Sequence, residues 1–141
     1  MINAECTEFH LLNGGFTCAV YCGEEIFKST ERGVAPLLAW LKDGKDFRGF
    51  SAVDKVVGKA AAFLYVLLGV EKVYAFVISE SAAEVFARFH VEYGYQEKVS
   101  AIRNRTNTGF CPMEQAVWDI TDPQTAYARI QETLRKLKEQ K

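Results

Sequence analysis

The apolar run at residues 60–70, free of charged side chains, does most to limit what this chain can fold into. It is too short to span a bilayer. Yet Ala60, Phe63, Leu64 and Leu67, with Val56 and Val57 before them, make a nearly continuous apolar surface. A segment of that kind has to be covered on several sides, which predicts a central, buried helix with the other elements packed around it. We place this helix at residues 51–68, because Ser51-Ala52-Val53-Asp54 has the spacing of a capping box and Gly69 supplies a stop. The 141 residues, 49% of them hydrophobic, suffice for one domain that buries such a helix. That domain spans residues 1–141, with its core at about 10–120.

Periodicity supplies the elements around it. Residues 16–29 alternate apolar and polar with a break at Gly23-Glu24-Glu25, which predicts a β-hairpin. Cys18, Val20 and Cys22 share one strand face there and read as packing residues. Pro36 opens a helix carrying Leu37, Leu38, Trp40 and Leu41, and Asp43-Gly44 ends it. Residues 73–78 are an apolar, β-branched and aromatic run, as expected of a strand buried on both faces. A third helix is expected at residues 81–93, a strand at 98–103, a loop at 106–109 and a short helix at 112–118. Asp122-Pro123 then caps an amphipathic helix at 122–141, whose Ala126, Tyr127, Ile130, Leu134 and Leu137 form one stripe. The order β-β-α-α-β-α-β-α-α predicts an α/β fold, a three-layer α/β/α sandwich with a mixed sheet.

Charge and cysteine usage narrow the function classes. The net charge of −1 provides no positive field for a phosphate backbone, so a nucleic-acid partner is not expected. The first residues lack a basic start followed by an apolar core, and no segment reads as a membrane span, so a cytoplasmic protein is expected. The four cysteines include no Cys-x-x-Cys pair, and Cys6-x-x-x-His10 alone is too little for zinc. Reduced thiols, no metal and no cofactor are therefore expected.

Polar chemistry concentrates in residues 51–59 and 104–114. On the predicted helix Lys55 and Lys59 lie one turn apart beside Gly58, where the backbone can be approached closely. Cations near a helix start oppose the macrodipole, and the pair points to an anion site for phosphate or carboxylate. The competing reading is two solvated lysines at the edge of a layer. Asp54 is explained equally by the capping box or by proton transfer. Gly58-Lys59-Ala60 is not a P-loop, since Val53 stands where that motif has glycine and no Ser or Thr follows Lys59. In the second region Pro112 at a first helical position makes Cys111 the N-cap, which favours its thiolate, and places Glu114 third in the helix. Alternatively, Cys111 and Glu114 form only a capping arrangement.

These strings together resemble the family catalogued as domain of unknown function 1893. The resemblance is carried by Ser51-Ala52-Val53-Asp54-Lys55-Val56-Val57-Gly58-Lys59-Ala60-Ala61, by Val77-Ile78-Ser79-Glu80, and by Asn104-Arg105 followed by Gly109-Phe110-Cys111-Pro112-Met113-Glu114. The bend Glu31-Arg32-Gly33-Val34-Ala35-Pro36-Leu37-Leu38 fits as well, so most of the chain is covered. The resemblance implies a cytidine deaminase-like fold, which normally holds zinc between a His-x-Glu at one helix start and a Pro-Cys-x-x-Cys at another. Here the corresponding strings read Ala52-Val53-Asp54 and Glu80-Ser81-Ala82-Ala83-Glu84, without the soft ligands. The leading expectation is a zinc-free protein of that fold that binds a small anionic or nucleotide-like ligand. Its site would draw on Asp54, Lys55, Gly58, Lys59, Ser79, Asn104, Arg105, Gly109, Cys111 and Glu114. One alternative is an enzyme with Cys111 as nucleophile and Asp54 as proton carrier. The other is a non-catalytic homo-oligomeric scaffold built through the terminal helix.

Overall fold

The structure, a computed structural model, describes residues 16–31, 33–102 and 111–139. The hairpin forms as expected, β1 (Cys18–Cys22) turning into β2 (Glu25–Ser29). Gly23 has φ +59° in that turn, a left-handed conformation that glycine adopts without steric cost. Cys18 and Val20 are buried, but Cys22 is exposed at the strand's end, against the expectation that it packs. Helix α1 (Ala35–Lys42) follows, with Pro36 in its first turn and Asp43 as its C-cap.

Residues 51–58 depart from the expected helix. Ser51–Val57 is strand β3, and the central helix, α2 (Lys59–Leu68), begins only after its N-cap Gly58. The β-branched Val53, Val56 and Val57 favour strand over helix. Ala52 and Val53 are both fully buried, and neighbouring strand residues face opposite ways, so β3 is covered on both sides. That burial erases the alternation that would have marked a strand. The helix does stop at Gly69, which is left-handed at φ +89°.

Strand β4 (Lys72–Ser79) runs straight into helix α3 (Glu80–Arg88). This helix is shorter than the expected 81–93, because Phe89 caps it and His90, at φ +62°, turns the chain. Strand β5 (Glu92–Val99) then occupies the residues assigned to the helix end, and the strand expected at 98–103 is displaced toward the N-terminus. A short helix, α4 (Pro112–Ala116), and a long one, α5 (Pro123–Glu139), complete the chain. Asp122 caps α5, its Oδ2 accepting from the Thr125 N–H at 2.8 Å.

The five strands form one mixed sheet in the order β2-β1-β3-β4-β5. β1 is antiparallel to both its neighbours, while β3, β4 and β5 run parallel. Helices α2 and α3 make the two parallel crossovers, and right-handed crossovers advancing in one direction put both on the same sheet face. On that face Phe63, Leu64 and Tyr65 of α2 are 0% exposed and pack with Leu37 of α1, Phe86 of α3 and Ile130 of α5. Val20, Ala52, Val73, Ala75 and Ile78 supply the sheet side of this core. Burying each large apolar side chain is worth about 1.5–3 kcal/mol, so α2 is the element on which the others depend. A smaller cluster of Ala19, Tyr21 and Val53 lies on the other face, with Tyr74 and Phe76 against it. Among the described residues every helix contributes to the first cluster and none to this one, so the third layer expected from the sequence is not seen among them. The fold is α/β with a mixed sheet, and its described residues contain one strand more than the sequence order counted.

Candidate functional site

Strands β3 and β4 both end by running into helices, so the starts of α2 and α3 lie together at the carboxyl edge of the parallel strands, where open α/β sheets commonly hold ligands. Glu114 of α4 joins these two starts. Its Oε2 accepts from the Ala60 N–H at 3.1 Å, and the Lys59 amide and the Ser79 hydroxyl also act on the carboxyl, favouring its charged form. The side chain is 5% exposed. Burial pushes its carboxyl up, opposed by the Ala60 and Lys59 amides, the Lys59 charge and Ser79. A Cβ at Gly58 would stand 2.6 Å from the Glu114 Cδ, so only glycine admits the carboxylate this close.

Ser79 is fully buried as the N-cap of α3, its Oγ accepting from the Ala82 N–H at 3.1 Å. The hydroxyls of Ser79 and Ser81 are 3.2 Å apart. Lys59 is half-buried, and its Nζ donates to the Trp118 carbonyl at 3.0 Å. Cys111 is half-buried at the N-cap of α4 and makes no side-chain cap bond. Its N–H donates to the Ile102 carbonyl at 3.1 Å.

The structure thus brings Gly58, Lys59, Ser79 and Glu114 together, with Cys111 at the N-cap of the helix that delivers Glu114. Lys55 does not join them. It is on β3, half-exposed, its N–H donating to the Thr17 carbonyl, so it is not one helical turn from Lys59. Asn104, Arg105 and Gly109 lie outside the described residues, as do Cys6 and His10. The pairing of Cys111 with Glu114 as a local cap is also overturned, since Glu114 reaches across the chain to α2 instead.

Asp54 belongs to a different group. It is 7% exposed, and its Oδ2 accepts from the Tyr65 hydroxyl at 2.7 Å. Burial pushes its carboxyl up to about 7, against the hydrogen bonds from Tyr65 and from the Val56 and Lys55 amides. Cys18 is its register partner across β1 and β3. Burial, and then the Asp54 charge, push the Cys18 thiol far up. The same two causes raise the Tyr65 hydroxyl. Sequence reasoning passed over Tyr65 and gave Cys18 no role. The available signal was a tyrosine inside an otherwise apolar buried helix, whose hydroxyl requires a partner.

The helix start that would hold the first zinc ligands reads Gly58-Lys59-Ala60, not Ala52-Val53-Asp54, and the second reads Ser79-Glu80-Ser81. Neither offers an imidazole or a thiolate, and Glu114 fills the space between them, so the residues present do not fit a zinc centre. Among the described residues no group of three or more His, Cys, Asp and Glu side chains is placed to hold a metal. Among them, too, no helix is long and apolar enough to cross a membrane.

Residues 8–134 match the family model described as domain of unknown function (DUF1893). Among solved structures, the chain is similar to a DUF1893 family protein from Thermotoga maritima. The two share 26% identity and superpose with a TM-score of 0.82 over 94% of this chain and 88% of that one. No curated protein matches.

Proposed function

The chain belongs to the DUF1893 family, and from that premise we propose that it is a zinc-free ligand-binding domain of cytidine deaminase-like fold. It takes a small anionic or nucleotide-like molecule between the start of α2 and residues 104–114. The observation that carries this reading is the Glu114 carboxylate on the first turn of α2. Free N–H groups and the helix dipole draw negative charge to such a place, and the site already accommodates a carboxylate. A ligand phosphate or carboxylate takes over the Ala60 and Lys59 amides from Glu114, with the Lys59 ammonium beside it and Ser79 as a hydroxyl contact. The reading also assigns ligand contacts to Asn104, Arg105 and Gly109. A cytoplasmic setting accords with the free thiols of Cys18, Cys22 and Cys111.

Melting temperatures with inorganic phosphate and with nucleoside monophosphates test it. Ligand at a hundredfold over its dissociation constant stabilises by about 2.7 kcal/mol, a shift of several degrees for a domain of this size. The wild type should shift more than Lys59→Ala, and Glu114→Gln more than the wild type because the internal competitor has lost its charge. Equal shifts in wild type and Lys59→Ala, or none in any variant, would sink the proposal. The Cys111 thiol, which makes no cap bond at the N-cap of α4, favours a second reading, a cysteine nucleophile in the same cleft. In that reading Glu114 carries the proton, since Tyr65 holds Asp54 in the core.

A further inference from the structure

The β1–β2 hairpin is tied to the rest of the sheet by four register pairs, Cys18 to Tyr21 against Asp54 to Ser51. The pair at one end of this ladder is Cys18 with Asp54, and Tyr65 of α2 closes over it with the 2.7 Å bond to Asp54. All three residues are buried, at 2%, 7% and 0% exposure. The groups that bear on Asp54 are the Tyr65 hydroxyl from α2, the Cys18 thiol from β1, and the amides of Val56 and Lys55 on its own strand. Its register neighbour on β4 is the uncharged Ala75. Glu31, beyond β2, acts on Cys18 and adds negative charge. No cation among the described residues acts on this cluster. An ionised carboxylate held there lacks the partner that buried charges need, whereas a protonated one sits at little cost.

We propose that Cys18, Asp54 and Tyr65 form a proton-operated latch that holds the hairpin on the sheet, closed while Asp54 keeps its proton and loosened when it ionises. The latch is separate from the cleft at α2 and does not rest on the ligand reading. Its sign follows from linkage. Burial lifts the Asp54 carboxyl from an ordinary 3.8 to about 7 in the closed state. Closed-state stability is therefore complete below the ordinary value and is lost as pH rises through about 7.

Amide hydrogen exchange on the full chain tests this, with protection corrected for the intrinsic exchange rate at each pH. Protection of Ala19, Val20 and Tyr21 should fall by up to roughly tenfold per pH unit between about pH 5 and 7 and level off above that. Amides of β4 should change less. Asp54→Asn should flatten the hairpin profile. Should that variant fail to fold, Tyr65→Phe keeps the ring but removes the donor that favours the carboxylate, and should move the levelling to higher pH. A hairpin profile that does not vary with pH overturns the latch. So does a slope shared equally with β4, one unchanged in Asp54→Asn, or a levelling point unmoved in Tyr65→Phe.

Discussion

Gly58 has no side chain because the Glu114 carboxylate stands where one would go. Gly58→Ala would bring a methyl group within 2.6 Å of that carboxylate, which must swing aside and give up its bond from the Ala60 N–H. Overpacking of this kind costs about 1–3 kcal/mol, read from the midpoint of urea unfolding. The double variant Gly58→Ala with Glu114→Ala should lose less than the sum of the two single losses, because the second change removes the clash. Strict additivity would mean that the contact is not the cause. Gly58, Lys59, Ser79 and Glu114 were all legible as polar or permissive residues next to apolar runs. Their arrangement was not, since Glu114 meets Ala60 from 54 positions away and local spacing carries no information about such a partner. Tyr65 and Cys18 were hidden for the opposite reason. Both sit in apolar surroundings that read as core, and only the placing of Asp54 on β3 opposite Cys18 reveals what they serve.

Helix α3 depends on Ser79 for its N-cap, and the same hydroxyl acts on the Glu114 carboxyl. Ser79→Ala should therefore cost more than the typical 1 kcal/mol of a lost cap. Asp122→Ala, which removes the exposed cap of α5, should cost no more than that typical amount, and urea midpoints for the two variants give the comparison. If both lose the same stability, the influence of Ser79 on Glu114 contributes nothing. At this scale the hairpin, α1, β4, α4 and α5 could be read from periodicity and punctuation, since each has either a clear pattern or a Pro, Gly or Asp at its boundary. Strands β3 and β5 could not, for contrasting reasons. β3 is covered on both faces, so its apolar residues continue without alternation into α2. β5 lies at the sheet's edge and exposes Glu92, Tyr93, Tyr95, Gln96, Glu97 and Lys98, which again leaves no alternation.

The whole molecule is organised by α2, against which α1, α3 and α5 pack. The apolar stripe of α5 is taken up within the chain, with Ala126 and Ile130 at 0% exposure in the same core as Phe63 and Leu64. Ending the chain before Asp122 should therefore abolish cooperative thermal unfolding. A scaffold that used this stripe only to dock a second subunit would instead leave a folded monomer, visible by size-exclusion chromatography and calorimetry. Among the described residues the sheet ends in β2 on one side and β5 on the other. An eight-residue edge without proline offers a row of backbone groups to any other extended chain. Along β5 that row is lined by Glu92, Glu97 and Lys98, which must lose water before a stranger can pair with it. These charges guard the concentrated protein against fibre formation, and their removal would be felt first as aggregation during expression, while the fold of each molecule stays unchanged.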